Sequence, residues 1–264
     1  YNPTNAEKLS VISVGGYGRR EMAPYSDVDL LFLTPYKITP WAENVIETVL
    51  YILWDLKLKV GHSSRSIRDC LRMGSEDYTI RTAMLEQRFV CGDISLASEL
   101  SEKLWKNLFE GTAKDFISAK LKERENRHEK HGQRYMVEPN VKEGKGGLRD
   151  LQSLYWIAKY VYKTQRISDL VELNVFRYDE HEQFDKAEEF LWAVRCQMHL
   201  LSDRAIEQLS FDLQVEVATA MGYKDSHARR AVEIFMQDYF RHATRVGDLT
   251  RIFLTSLEAV HAKD

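Results

Sequence analysis

Asp27 and Asp29 are the residues of this chain whose type and spacing point most directly to chemistry. They stand in the stretch V-I-S-V-G-G-Y-G-R-R-E-M-A-P-Y-S-D-V-D-L-L-F-L-T, from Val11 to Thr34. On an extended strand side chains alternate, so both carboxylates point to one face with Cα atoms roughly 7 Å apart. Like charges held there repel and raise one pKa, whereas a hard divalent cation between them turns the repulsion into coordination. Gly15, Gly16 and Gly18 allow positive φ and close backbone approach, so amide N–H groups can face an anion, and Arg19 and Arg20 add charge. These residue types describe a site for a metal-bound nucleotide. A D-x-D pair alone is more often a solvated strand end; the glycines, Pro24 and Ser26 at these spacings favour chemistry.

A second glycine-rich segment, from Glu138 to Asp150, reads E-P-N-V-K-E-G-K-G-G-L-R-D. Gly144, Gly146 and Gly147 lead into an apolar run through Leu148, Leu151 and Leu154, so a flexible loop is expected to feed a helix N-terminus, whose unpaired N–H groups favour anions. Lys142, Lys145 and Arg149 surround that point with positive charge. The plainer alternative is a glycine-rich linker between domains. A Walker phosphate loop is excluded because G-x-x-x-x-G-K-[ST] does not occur, and Gly16 and Gly18 lack the third glycine of a dinucleotide fingerprint.

Gly15-Gly16-Tyr17-Gly18-Arg19 followed by Pro24, Ser26, Asp27, Val28 and Asp29 resembles the signature of the DNA-polymerase-β-like nucleotidyltransferases. With the second segment in order behind it, the chain more narrowly resembles the bacterial PII uridylyltransferase/uridylyl-removing family. Weaker likeness runs through Trp54-Asp55, Lys57-Leu58, Val60-Gly61-His62-Ser63 and Asp238-Tyr239-Phe240, and so covers nearly the whole chain. The resemblance implies Mg²⁺ as cofactor, with Asp27 and Asp29 as catalytic residues and metal ligands. Nucleotide-binding roles fall on Gly15, Gly16, Gly18, Arg19, Ser26, Lys142, Gly146, Gly147 and Arg149. The donor it implies is UTP and the acceptor a tyrosine of the PII nitrogen-regulatory protein, with release of pyrophosphate. The sequence departs from the pattern at Arg20, where the family usually has glycine, and between Lys57 and Arg68, where the superfamily has a third carboxylate. For that third group, or for the general base, His62, Asp77 and Glu86 stand as candidates, His62 being as readily a structural histidine.

The elements that must position these residues are legible in outline. The apolar runs 11–14 and 28–33 read as buried strands, and residues 41–56 carry apolar side chains at helical spacing that would back the sheet. Leu58, Val60, His62 and Ser64 alternate with more polar residues as a third strand, with His62 continuing its apolar face. Residues 77–88 form an amphipathic helix before a short strand at Val90. Helices are expected over 96–109 and 112–131, and the mixed-sign run 120–134 should be a solvated helix with i,i+4 pairs. Its two histidines, His128 and His131, lack a third ligand for a metal. All five prolines lie at or before Pro139, and after Gly147 only Gly222 and Gly247 remain, so residues 148–264 should be helical. Residues 190–201 and 211–221 read as helices, and 228–260 as one long helix interrupted near Gly247. The fold class is therefore α+β. A small mixed-sheet, polymerase-β-like nucleotidyltransferase head occupies residues 1–110, and an all-α domain for cleft closure and acceptor docking occupies 111–264, with the glycine-rich motif at 138–150.

With 264 residues, 44% hydrophobic and 29% charged, the chain can bury a substantial core, and a net charge of -3 gives no drive toward nucleic acid or acidic membranes. The three cysteines are widely spaced and suggest neither a disulfide framework nor a zinc site. No apolar run approaches the roughly 20 residues of a membrane span, and no signal-peptide pattern opens the chain, so a cytoplasmic protein is expected. Beginning at Tyr1 and ending on His-Ala-Lys-Asp, it reads as a piece of something longer. The resemblance implies a metal-dependent HD hydrolase domain and ACT sensing domains beyond it, and no His-Asp dipeptide occurs here. Two rivals stand beside the uridylyltransferase reading: a related nucleotidyltransferase with another acceptor or with ATP as donor, and a nucleotide-binding regulatory module without catalysis.

Overall fold

The computed structural model describes residues 7–131, 136–164 and 166–261. Its fold class is α+β, as expected: a four-stranded mixed sheet and a large helical portion. Chain contacts divide it into two compact units, one of residues up to Met22 with Ser26–Phe116, the other of Ala23–Tyr25 with the residues from Ile117 onward.

In the first unit the strands are β1 (Ser10–Ser13), β2 (Val28–Thr34), β3 (Val60–Ser66) and β4 (Arg88–Gly92), in the order β3-β2-β1-β4. β1 runs antiparallel to β2 and β4, and β3 parallel to β2. β2 reads as an unbroken apolar run after Asp29 because both its faces are covered. Val28, Leu30 and Phe32 pack with Leu9, Ile46 and Leu50, while Leu31, Leu33 and Ile12 are fully buried in the core. Ile46 and Leu50 belong to α2 (Pro40–Asp55), which starts where Thr39 accepts a hydrogen bond from the Ala42 amide and Pro40 opens the first turn. Between β1 and β2 lies the short α1 (Gly15–Arg19).

α3 (Ile67–Glu76), absent from the sequence reading, follows β3 directly. Its start is set by a capping box in which the Ser66 hydroxyl takes the Asp69 amide and the Asp69 carboxylate takes the Ser66 amide. α4 (Tyr78–Leu85) then leads to β4, and α5 (Ile94–Leu104) continues into one π-helical turn at Trp105–Phe109. The expectation for His62 is corrected: it is exposed, its ring meeting Trp54 edge-on at 6.3 Å, because β3 ends the sheet and presents polar side chains.

The second unit is built on α6 (Ala113–His131) from Ile117 onward, α7 (Leu148–Tyr162), α8 (Asp169–Glu172), α9 (Tyr178–Ser202), α10 (Phe211–Ala220) and α11 (Ala231–His261). Its core gathers Leu151, Leu154, Phe184, Leu191, Val194, Val217, Phe235, Tyr239 and Phe253, all buried. α11 runs unbroken through Gly247, against expectation. One interior glycine costs about 1 kcal/mol, and the burial of Val246, Leu249 and Phe253 on either side outweighs it. The run 120–134 is also corrected, as far as it is described; its residues 132–134 lie outside the described set. Lys120 is buried, with its ammonium 2.8 Å from Glu123 and over the Trp156 ring, and Arg127 and His128 turn inward to Asp150.

Candidate nucleotide and metal site

In the first unit, Asp27 immediately precedes β2 and is exposed, while Asp29, two residues on and half-buried, shares its face by strand alternation. The Val14 amide donates to the Asp29 carbonyl at 3.1 Å and the Val28 amide to the Lys59 carbonyl at 2.8 Å, so the strand ends converge here. The Asp29 carboxylate is flanked by two glycines. A Cβ on Gly15 would stand 3.0 Å from Asp29 Oδ2, and one on Gly61, the register partner of Asp29 on β3, would overlap Oδ1. Gly15 itself has φ +58°, so this turn needs glycine on two counts.

The rest of the turn is packed rather than loose. A Cβ on Gly18 would collide with the Glu86 carbonyl, and one on Gly16 would stand 2.9 Å from the Glu21 carbonyl. Arg88, on β4, donates to the carbonyls of Tyr17 at 2.8 Å and Gly18 at 3.3 Å, satisfying acceptors at the end of α1. Arg20 closes α1 in the left-handed conformation at φ +68°, which suits the glycine that the resemblance leads one to expect there. The Arg19 guanidinium pairs with Glu21 at 2.8 Å and with Glu86. Burial disfavours its charge, but Glu86 and Glu21 outweigh that and hold its pKa above the ordinary value. Ser26, half-buried, completes the set.

The candidates for a third acidic or basic group have other settings. Glu86 is buried against Arg19. Asp77 caps α4, its carboxylate accepting from the amides of Thr79 at 2.6 Å and Ile80 at 3.1 Å. His62 pairs in register with Leu30, and so stands on the opposite sheet face from Asp29. Among the described residues, no three of His, Cys, Asp or Glu cluster as a metal site. The pair Asp27 and Asp29 nonetheless suits Mg²⁺, which is commonly held by one or two carboxylates with the substrate's phosphates and water, and neither Gly15 nor Gly61 places a Cβ against the Asp29 oxygens.

In the second unit, Lys142, Gly146, Gly147 and Arg149 come together on one built loop. Asn140 Oδ1 accepts from the amides of Lys142 at 3.1 Å and Glu143 at 2.7 Å, and the Leu148 and Arg149 amides return to the carbonyls of Val141 and Lys142. The Val141 amide donates to the Glu207 carbonyl and the Leu209 amide to the Pro139 carbonyl, tying the loop to the segment before α10. The expected flexible feed is thus a firmly bonded structure. A Cβ at Gly147 would come within 2.6 Å of the Val141 carbonyl, and Gly146, at φ +81°, lies against the backbone of Ala243 in α11.

Charge around this loop is mostly paired. Arg149 donates to Glu143 at 3.1 Å and to Gln152 at 2.8 Å, and Arg195 donates to both oxygens of Glu207 at 2.7 and 2.9 Å. The Lys142 ammonium differs, lying 3.9 Å from oxygens of both Glu143 and Glu207. Burial first, then the charges of Arg149 and Arg195, push its pKa down. The carboxyl of Glu143 titrates below its usual range, because Arg149, Lys142 and Arg127 outweigh the burial that opposes its charge. Arg127, His128, Arg195, Glu207 and Asp150 had no part in the sequence-derived site, though Arg124, Arg127 and His128 share one helical face and that spacing was readable.

A glycine turn leading into a D-x-D strand of a small mixed sheet, followed by a helical unit, is the setting of a nucleotidyltransferase. Residues 115–254 match the family described as GlnD PII-uridylyltransferase. The chain is 65% identical over 263 residues to the bifunctional uridylyltransferase/uridylyl-removing enzyme of Cereibacter sphaeroides, covering 99% of this chain and 28% of that protein. It is also 65% identical over 261 residues to the protein of the same name from Ruegeria pomeroyi, covering 99% and 29%. The enzyme of Novosphingobium aromaticivorans is 52% identical over 263 residues, covering 99% and 29%. The chain belongs to the PII-uridylyltransferase family, and it spans under a third of the length of these relatives.

Proposed function

We propose that this chain carries the nucleotidyl-transfer activity of its family, moving UMP from UTP to a tyrosine hydroxyl of the PII signalling protein. The observation that carries this reading is the Asp27 and Asp29 pair, with the Asp29 carboxylate cradled between Gly15 and Gly61. The phenolic oxygen bonds to the α-phosphorus, the bond from that phosphorus to the bridging oxygen breaks, pyrophosphate leaves, and the phenolic proton passes to solvent or a base. Asp27 and Asp29 would hold Mg²⁺, which supplies neutralisation of triphosphate charge. The glycine turn with Ser26 orients the nucleotide by close backbone approach, and Arg19 holds that turn from behind through Glu86. On the helical unit, taken by itself, Lys142 with Gly146 and Gly147 offers a phosphate-binding loop, with Arg149 held beside it by Glu143 and Gln152. Positioning and electrostatics do most of the catalysis in such transfers. A cytoplasmic setting belongs to the same proposal; among the described residues no helix is long and apolar enough to cross a membrane.

The test mixes the chain with UTP, Mg²⁺ and PII protein, and looks by mass for a UMP adduct on PII, with nucleotide binding measured alongside. Comparing α-labelled UTP and ATP against candidate acceptors separates a related transferase. The non-catalytic rival draws on one observation, the lack of a third clustered acid among the described residues. It predicts nucleotide uptake without pyrophosphate release.

A further inference from the structure

The most completely buried carboxylate near the loop 140–147 belongs to Asp150, in the first turn of α7, with the residue wholly inaccessible to solvent. Its Oδ2 accepts the Gly146 amide at 2.8 Å. His128 Nε2 lies 2.9 Å from Oδ1 and 3.0 Å from Oδ2, Arg127 donates to Oδ1 at 2.5 Å, and Arg124 Nε stands 3.4 Å away. A carboxylate with two oxygens and this many cationic neighbours is saturated, so it has no free valence for a metal or a substrate. What it does is join three things: the inward face of α6, the N-terminal turn of α7, and the amide of Gly146, the glycine whose Cβ position faces Ala243 of α11. Desolvation opposes its charge, yet the His128 hydrogen bond and the two arginines hold its carboxyl below the usual range, so Asp150 itself is ionised at neutral pH.

We propose that Asp150 is the positioning residue of this loop: by fixing the Gly146 amide and the Arg127 and His128 side chains, it holds the loop so that the Lys142 ammonium meets a nucleotide's phosphates. This rests on the reading above that the loop binds nucleotide. Asp150 touches no nucleotide itself, and its effect passes through Lys142. Lys142 suits that part because its ammonium stands 3.9 Å from each carboxylate beside it, too far for a good hydrogen bond. The arginines on either side are already held by Glu143 and Glu207.

The test is a double-mutant cycle on the 264-residue chain, with UTP affinity in Mg²⁺ read by calorimetry and cooperative unfolding read by circular dichroism. Asp150→Asn keeps size and removes charge, and should weaken UTP binding by about tenfold or more, as loss of an orienting partner commonly does. Lys142→Ala should weaken it by a similar factor, and the double variant should bind no more weakly than Lys142→Ala alone. A merely structural role would lower the fraction of binding-competent chains without this non-additivity. Unchanged affinity in Asp150→Asn, or effects that simply add, would overturn the proposal while leaving the loop as a nucleotide site. Unchanged affinity in Lys142→Ala, or no UTP uptake by the unaltered chain, would overturn the loop reading and the proposal together. If Asp150→Asn does not unfold cooperatively, His128→Gln takes its place, since it leaves Asp150 paired to Arg127. An effect that vanishes beside Lys142→Ala supports the proposal, and an additive or absent one rejects it.

Discussion

Asp27→Asn keeps the shape of the first carboxylate and removes its charge. If that group holds the metal, transfer should fall by roughly a hundredfold or more, since about 1.4 kcal/mol is tenfold in rate and a metal contact is worth several kcal/mol. The check is single-turnover transfer of labelled UMP to PII, and an unaltered rate would remove the metal role. Arg19 calls for a different expectation. Its side chain is 7% exposed and that of Glu86 3%, so Arg19→Ala takes a buried ion pair away from the Glu86 carboxylate. The loss should be about 3–5 kcal/mol of stability, seen in urea unfolding, and not a selective loss of nucleotide affinity.

At the scale of elements, the closing residue of α1 is the clearest target. Arg20 holds φ +68°, where a side chain is strained and glycine is not, while glycine carries more entropy in the unfolded chain. Arg20→Gly should therefore stabilise the chain by a net of about 0.5–1 kcal/mol, measured as a shift in denaturant midpoint with an unchanged slope. That strain was visible in the sequence only as a departure from the family's pattern. β2 and the D-x-D were legible because a doubly covered strand is a continuous apolar run, and α2 was legible from its period. α3 was legible too, through the spacing of Ser66 and Asp69, but went unread. The role of Gly61 could not be seen, since it exists only once β3 lies parallel to β2 with Gly61 opposite Asp29. The same holds for Asp150: the shared face of residues 124, 127 and 128 was readable, but its meeting with Asp150 is set by helix packing.

For the whole molecule, three groups, two buried (His199 and Asp150) and one half-buried (Glu143), act in one direction with pH. Burial, aided by Arg195 and Lys142 against the pull of Glu207, lowers the pKa of His199, so below its ordinary value of 6.5 the unfolded chain takes up a proton that the folded chain does not. Stability is then lost as pH falls from 6.5 toward the folded value. Asp150 and Glu143, both held below their usual ranges, add to the loss as pH falls below 4.5 and then 3.8. The thermal midpoint should therefore drop steadily from pH 7 to pH 4, and His199→Gln should flatten the part of that slope near pH 6. A midpoint that rises on acidification would contradict the burial of His199 and the cationic pairing of Asp150 and Glu143.

The contact between Gly146 and α11 has a consequence for how this chain can vary. The atoms that a Cβ at 146 would strike are the carbonyl oxygen, the carbonyl carbon at 2.9 Å and the Cα at 3.0 Å of residue 243. These atoms belong to any amino acid placed there, and they sit inside a helix of 31 residues. Gly146→Ala should thus be a lesion without intragenic suppressors at position 243, and a selection for restored UTP binding should return only true revertants or changes that move the helix as a body.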